Sequence, residues 1–255
     1  MANFNDNLRK RLSELRSMTN SQRQSYLRQL NASSPIKPWP FGMPCSAAPE
    51  VVVVGISPGN TPRKEDKGFV TLNKSGKPPT FGKPHGGFSY RDPKHYWAKV
   101  CSLCCHFVRR SDSKMSDDGC IALSSHLNLG TGQAGEASVE DADRATTRWV
   151  STLLNKFFQP RLIVCFGLNQ ILKARFDDWN CRDGLQVDWR KPKAEHLFDS
   201  YHFRLWEAIS AKGKRIGVLM WPNHPSRHPF GGDENGLEWK RSLTEANLFL
   251  AANNF

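Results

Sequence analysis

The chain has 255 residues, enough for one large α/β domain with a well-buried core. Lys and Arg outnumber Asp and Glu by 36 to 24, and the net charge of +12 favours a polyanionic partner, either nucleic acid or an anionic membrane surface. No apolar run approaches the roughly 20 residues that span a bilayer, and the N-terminus lacks the apolar core of a signal peptide. We therefore expect a soluble, cytoplasmic protein.

The seven cysteines are irregularly spaced, which predicts reduced thiols in an intracellular compartment. Cys101, Cys104 and Cys105 stand next to His106 and could be taken for a metal site. The apolar residues around them, however, recur at helical spacing, and buried free cysteine behaves as a small hydrophobe. We therefore predict that these cysteines are buried in a helix, and we expect neither a metal nor another cofactor.

The N-terminal half is predicted to combine basic helices, one buried strand and a long loop. Residues 5–31 are expected to form one or two amphipathic helices within an N-terminal extension, residues 1–45, that would pack on the domain. Residues 51–54 are β-branched throughout, which is typical of a strand buried on both faces. Residues 63–87 are rich in Gly, Lys and Pro and predict a long surface loop. A helix follows from about 92 to 108.

The C-terminal half alternates strands with helices. Its predicted elements are a strand near 120–129, a helix that starts at 138–141 and runs to about 158, a strand at 162–167, a helix at 169–176, an insertion at 179–193, a helix at 198–211, a strand at 216–220 and a helix at 238–252. Alternation of this kind predicts an α/β fold. We expect a single domain, residues 1–255, built as a three-layer α/β/α sandwich around a mostly parallel four-stranded sheet.

Three of the four predicted strands end in loops rich in Gly, Pro, Ser, Asn or His, and the carboxyl ends of parallel strands share one edge of a sheet. The first loop is Gly-Ile-Ser-Pro-Gly, in which Gly55 and Gly59 free the backbone and Pro58 fixes its shape. Such a turn presents N–H groups to an anion or to a polar base edge. The last strand ends on Pro222-Asn223-His224-Pro225. This first loop has neither the dinucleotide-binding nor the P-loop spacing of glycines.

These two loops, in this order, resemble the first and last motifs of the uracil-DNA glycosylase superfamily. The match is nearest to the mismatch-specific and single-strand-selective branches, whose usual forms are Gly-Ile/Met-Asn-Pro-Gly and His-Pro-Ser. Residues 88–100 resemble the segment that carries a base-stacking aromatic, and residues 162–167 resemble the third strand. The resemblance covers most of residues 51–227 and omits the N-terminal helices and the insertion at 179–193.

The resemblance implies a monofunctional DNA glycosylase that flips a base out of DNA and hydrolyses its N-glycosidic bond. His224 would stabilise the negative charge on the departing base. Ser57 stands where the family usually carries the Asn or Asp that positions water, and Asp66, Glu65 and Asp92 are the alternatives for a base. The residues expected to contact the flipped base are Gly55, Ile56, Pro58, Gly59, Phe88, Tyr90, Ser125 and Asn128. Those expected to contact the surrounding DNA are Asn60, Ser226, Arg227, His228 and Phe230.

Many relatives read uracil with an Asn in the strand where this chain has Ser124 or Ser125, with Asn128 further along. Two small serines imply a roomier pocket. The expected substrate is therefore either uracil or a mispaired base, or a bulky modified cytosine such as a hypermodified phage base, which would give an anti-phage function. Some branches hold an iron–sulfur cluster, but only Cys45 precedes the first loop, so none is expected.

Two other functions remain open at this point. Ser57 is a poor base, which suggests a catalytically silent DNA-binding or base-binding module on the same fold. A phosphate-loop hydrolase would need metal-binding carboxylates around Gly59, and none is evident. The expected partner is single-stranded or double-stranded DNA, with no membrane and no obligate protein partner, for a monomer in the bacterial cytoplasm or nucleoid.

Overall fold

The structure is a computed structural model that describes residues 49–56, 96–110, 113–117, 120, 123–129, 142–166, 175–199, 201–222 and 237–255. Its elements are β1 (Val51–Gly55), α1 (Tyr96–Arg109), β2 (Ser124–Asn128), α2 (Arg144–Leu153) with a π-helical end (Leu154–Phe158), β3 (Leu162–Phe166), β4 (Ala194–Phe198), β5 (Tyr201–Ile209), β6 (Arg215–Trp221) and α3 (Leu237–Ala252). The predicted N-terminal extension and the loop at 63–87 lie outside these residues.

The strands in this part of the chain form one six-stranded sheet in the order β2-β1-β3-β6-β5-β4. The neighbours from β2 to β6 are parallel, whereas β5 is antiparallel to β6 and β4 is antiparallel to β5. The predicted α/β class is confirmed. The predicted four-stranded sheet is wrong in size, because a β4–β5 hairpin extends it beyond β6.

The second strand of this hairpin, β5, replaces the helix predicted at 198–211. Phe203 and Leu205 pack into the hydrophobic cluster on one face of the sheet, whereas Trp206 and Ala208 pack into the cluster on the other face. Both faces of β5 are thus partly covered, which removes the simple polar and apolar alternation that marks a half-buried strand. Backbone pairing with β6 along most of its length fixes the extended conformation.

Hydrophobic clusters cover both faces of the sheet. Val51 and Val53 pack with α1 and α3, and this face is called the α1/α3 face below. Val52 and Val54 pack with α2, and this face is called the α2 face. The predicted insertion joins the α2 face, where its buried residues are Trp179, Leu185, Val187 and Trp189. The insertion is therefore part of the core.

Helix α2 begins later than the predicted start at 138–141. Asp143 is extended at the N-cap, and its carboxylate accepts a 2.7 Å hydrogen bond from the Thr146 backbone N–H. This cap satisfies one of the free amide groups of the first turn. The end near Phe158 is as predicted, and Gln159 terminates the π-helical turn in the left-handed region, with φ of 45°.

The other predicted helices agree closely with the structure. The C-terminal end of α1 and both ends of α3 lie within one residue of those expected from sequence, whereas the predicted start of α1 near 92 lies outside the described residues. Residues 175–179 are helical, three residues beyond the predicted end. Within the ranges given above, no helix combines the length and apolar character needed to cross a bilayer.

Candidate functional site

The carboxyl edge of the parallel strands contains a topological switch point. Helix α1 leads from β1 to β2 across one face, and α2 leads from β2 to β3 across the opposite face. Because β1 lies between β2 and β3, the chain reverses its direction of winding between β1 and β3. In open α/β sheets, ligands bind outside the carboxyl ends of the strands at such a point. Gly55, the last residue of β1, lies at this position.

Gly55 makes room for two polar side chains of β2. It pairs in register with Asn128, and a Cβ at Gly55 would lie 2.9 Å from Asn128 Oδ1 and 3.4 Å from His126 Nε2. His126 and Asn128, called the polar pair below, are two residues apart on a strand and so share a face. They are only 3% and 2% exposed. Any residue other than glycine at position 55 would displace them.

The polar pair shares the α1/α3 face with aromatic residues at the ends of the next strands. Phe166 ends β3 and Trp221 ends β6, and their ring centroids lie 6.4 Å apart at 88°. Phe107 of α1 and Trp239 of α3 also contact Trp221. Hydrogen bonds in such an apolar setting are stronger than in water. An amide supplies both donors and an acceptor, and an imidazole can supply either.

Sequence reasoning selected Asn128 and missed its neighbour His126. The signal was available, because residues i and i+2 of a strand share a face, but His126 was treated only as part of the strand. Ser125 points to the opposite face from Asn128 and lies level with Val52, below the carboxyl edge. Ile56 packs against the cluster on the α2 face. The structure therefore brings Gly55, His126 and Asn128 together, and it places Ser125 elsewhere.

The remaining candidates lie outside the described residues. They are Ser57, Pro58, Gly59, Asn60, Glu65, Asp66, Phe88, Tyr90, Asp92, His224, Ser226, Arg227, His228 and Phe230. For two of these residues, the short stretch of chain to the nearest strand limits the distance from the carboxyl edge. Ser57 is the second residue after Gly55, and His224 is the third after Trp221.

The cysteines of α1 are buried, as predicted. Burial raises the pKa of Cys101 to about 12 and holds the pKa of Cys104 and Cys105 well above the ordinary value. These thiols remain protonated near neutral pH, and the protonated form is a poor metal ligand and a poor nucleophile. The described ranges contain no group of three or more His, Cys, Asp or Glu side chains arranged to hold a metal ion.

The start of α2 is joined to the same edge by backbone hydrogen bonds. The Leu129 N–H donates to the Gly55 carbonyl at 3.0 Å, and the Asp143 N–H donates to the Leu129 carbonyl at 3.0 Å. The first turn of α2 therefore begins two hydrogen bonds away from Gly55.

Comparisons with protein-family models, with curated proteins and with solved structures gave no match to this chain. Its function is therefore inferred from its own residues and from the geometry of the carboxyl edge.

Proposed function

We propose that the protein is a DNA glycosylase that flips a damaged or modified pyrimidine out of DNA and hydrolyses its N-glycosidic bond, leaving an abasic site. The observation that carries this proposal is the polar pair beside Gly55, at the switch point of a parallel sheet. A glycine whose missing side chain leaves room for a buried amide and an imidazole suits the edge of a flipped base.

The binding energetics are compatible with base flipping. Extruding a base costs a few kcal/mol of unstacking, and stacking on an aromatic side chain returns about 1–3 kcal/mol per base. Tyr90 or Phe88 would provide this stacking. Asn128 would read the hydrogen-bonding edge of the base, because its amide can match both a carbonyl and an N–H group. The net charge of +12 favours the approach of DNA.

Chain length allows Ser57 and His224 to meet at this site. A residue advances the chain by at most about 3.6 Å, so Ser57 lies within about 7 Å of Gly55 and His224 within about 11 Å of Trp221. Only β3 separates β1 from β6, a lateral distance of about 10 Å. The two loops can therefore reach a common base.

In the proposed reaction the glycosidic bond breaks first and the departing pyrimidine takes the bonding electrons. His224 donates a hydrogen bond to the negative charge that develops on the base, a contribution of about 3–4 kcal/mol when such a donor is aligned. Ser57 orients the water whose oxygen bonds to the sugar carbon, with Asp66 as the candidate base for its proton. The released base finally takes up a proton. This hydrolysis needs no redox step.

The proposal extends to the whole molecule. The described sheet would be the centre of a three-layer glycosylase-like sandwich, with the β4–β5 hairpin as an addition at one edge. The protein would act as a monomer on DNA in the cytoplasm, on uracil or a mispaired base, or on a bulky modified cytosine.

A base-release assay tests the proposal. Purified protein is incubated with DNA carrying uracil, mispaired thymine or 5-substituted cytosines, and abasic sites are then cleaved with alkali. Mass spectrometry of the freed bases identifies the substrate. We expect strand breaks that fall about 100-fold or more in His224→Ala and Asn128→Ala. Asn253→Ala is the control, because it removes an amide from the last residues of the chain.

The possible outcomes separate the candidate functions. Tight DNA binding without strand breaks on any substrate would favour the silent module that Ser57 suggests. If the protein neither binds DNA nor releases any base, both the glycosylase and the silent module are wrong. Breaks that survive His224→Ala unchanged would leave the activity but remove the proposed electrostatic mechanism.

A further inference from the structure

Two arginines on α2 share one buried carboxylate. Arg148 Nε donates a 2.8 Å hydrogen bond to Asp178 Oδ1, and Arg144 Nε lies 3.8 Å from Asp178 Oδ2. The Asp178 side chain is 7% exposed, whereas those of Arg144 and Arg148 are 72% and 59% exposed. The carboxylate therefore lies beneath the two guanidinium groups, which remain at the surface.

Asp178 accepts a hydrogen bond from Arg148 Nε and forms a longer ion pair with Arg144 Nε, so that neither contact uses the terminal amino groups. Those Nη groups make no hydrogen bond to any other residue within the described ranges. Residues i and i+4 of a helix are neighbours, with Cβ atoms about 5–6 Å apart. One carboxylate balances only one of the two positive charges. The arrangement is a pair of oriented guanidinium forks, and such forks match phosphate oxygens in a bidentate way.

The position of the pair links it to the candidate site. Arg144 directly follows Asp143, whose backbone is two hydrogen bonds from Gly55. Arg175 Nε donates to the Ala142 carbonyl at 2.9 Å and fixes the approach to α2 from the other side. Arg144 therefore lies close to the carboxyl edge, on the α2 side of the sheet, and Arg148 follows one helical turn further along α2.

The surface around the pair suits a nucleic-acid backbone better than a membrane. A helix that lies on a membrane carries apolar residues that enter the lipid beside its basic residues. In the part of the chain that the structure describes, the large exposed hydrophobic residues are Leu197, Ile209, Leu237 and Leu248, none of which belongs to α2. The exposed side of α2 thus offers charge without an apolar anchor.

From these contacts we infer that Arg144 and Arg148 form a phosphate clamp that holds the DNA backbone beside the flipped base, with Asp178 as the positioning residue. This inference rests on the proposed function, because it takes DNA as the substrate. The clamp would fix the orientation of the duplex on the enzyme without reading its sequence.

Binding to a mixed-sequence DNA duplex without any target base tests the clamp. We expect Arg144→Gln/Arg148→Gln to weaken the Kd about tenfold or more at low salt and to reduce the slope of log Kd against log salt by about 1–2. Lys212→Gln/Lys214→Gln is the matched control. It removes two charges from the exposed β5–β6 turn at the opposite, amino edge of the sheet. We expect the control to change the Kd less than about threefold.

Asp178→Asn separates positioning from simple charge. This substitution raises the net charge by one, so a diffuse electrostatic surface would bind DNA more tightly. An oriented clamp would bind it more weakly, because the guanidinium groups lose their tether. Circular dichroism establishes that the variant is folded. If Asp178→Asn does not fold, DNA binding by Arg144→Gln/Arg148→Gln still tests the clamp, because both side chains are exposed.

The failures can be distinguished. If the wild-type protein releases bases and binds DNA, but the arginine variant behaves like the lysine control, the clamp is wrong and the glycosylase stands. If the wild-type protein binds no DNA, the proposed function fails as well. Loss of binding to phosphatidylserine vesicles with unchanged DNA binding would also overturn the clamp.

Discussion

Gly55 is the residue on which the candidate site depends, because its missing side chain is replaced by the ends of Asn128 and His126. In Gly55→Ala the new Cβ would lie 2.9 Å from Asn128 Oδ1. The flexible end of Asn128 can move at little cost in stability, but its amide would then be misplaced. We expect base release to fall about 10–100-fold, with little change in the free energy of unfolding.

Gly217 provides the matched control on another strand. A Cβ there would lie 2.7 Å from Cδ1 of Phe255, whose ring is packed against the sheet. We expect Gly217→Ala to lower the free energy of unfolding by about 1–3 kcal/mol, measured with urea, and to leave the activity per folded molecule unchanged. Full activity in Gly55→Ala would show that the polar pair is not at the base site.

Glu207 provides a prediction about acid stability. Hydrogen bonds from Arg215 and Lys193 lower the pKa of the Glu207 carboxyl. A carboxylate with a lowered pKa stabilises the fold above its unfolded pKa, about 4.3, and this stabilisation disappears as pH falls through the lower folded pKa. Glu207→Gln should therefore lower the Tm at about pH 6 and have a smaller effect at about pH 3.

The dependence on Arg215 provides the control for that prediction. In an Arg215→Gln background the carboxylate has lost its main partner, and Glu207→Gln should then change the Tm less at about pH 6. An equal effect of Glu207→Gln in both backgrounds and at both pH values would contradict this account of the pKa.

Individual residues also show why only part of the candidate site could be predicted from the sequence. Asn128 ends a buried strand, and its resemblance to a base-reading amide made it a candidate. His126 shares a strand face with Asn128, but its position beside Gly55 follows only from the register of β2 against β1, which depends on strand pairing. Ser125, which precedes His126 by one position, was selected instead. A one-residue change on a strand reverses the face of the sheet.

At the scale of elements, continuous apolar runs predicted β1, β3 and β6 well, because strands buried on both faces need apolar residues throughout. The same rule concealed β5. Its residues Tyr201, Leu205 and Ala208 repeat at nearly helical spacing, so the local pattern favours a helix, and only pairing with β6 selects the strand. The residues of β5 by themselves do not show that this segment pairs with β6, so its local sequence could not predict the strand.

Asn155, in the π-helical end of α2, joins two segments that are distant in the sequence. Its Nδ2 donates to the carbonyls of Asp183 and Gly184, and its Oδ1 accepts from the Ala211 N–H at 2.7 Å. Asn155→Ala would leave these buried groups without their partner. We expect it to lower the free energy of unfolding by about 2–4 kcal/mol in urea titrations.

Asn253→Ala is the control for Asn155→Ala, since among the described residues its amide donates only to the Phe249 carbonyl near the C-terminal end of α3. We expect that change to cost less than about 1 kcal/mol. If Asn155→Ala is as mild as the control, the hydrogen bonds of Asn155 do not hold the 179–193 segment and the β5–β6 turn in place.

At the scale of the whole molecule, two hydrophobic clusters use opposite faces of one sheet. Leu153 is buried on the α2 face and Leu250 on the α1/α3 face. Each strand of the sheet either contributes side chains to both clusters or pairs with a strand that does. The packing on one face therefore cannot unfold while the other face stays folded. This arrangement predicts that the described part of the chain unfolds as one cooperative unit, as expected for the single domain inferred from the sequence.

Alanine substitutions on the two faces test that cooperativity. Leu153→Ala and Leu250→Ala should each lower the free energy of unfolding by about 2–5 kcal/mol, and each should keep one transition in which tryptophan fluorescence and circular dichroism coincide. The double variant should show the sum of the two losses to within about 0.5 kcal/mol, because the two residues belong to separate clusters on opposite faces of the sheet. Two separated transitions, with each substitution moving only one, would instead mean that the faces unfold independently. The carboxyl edge would then lose its rigid support whenever either face opened.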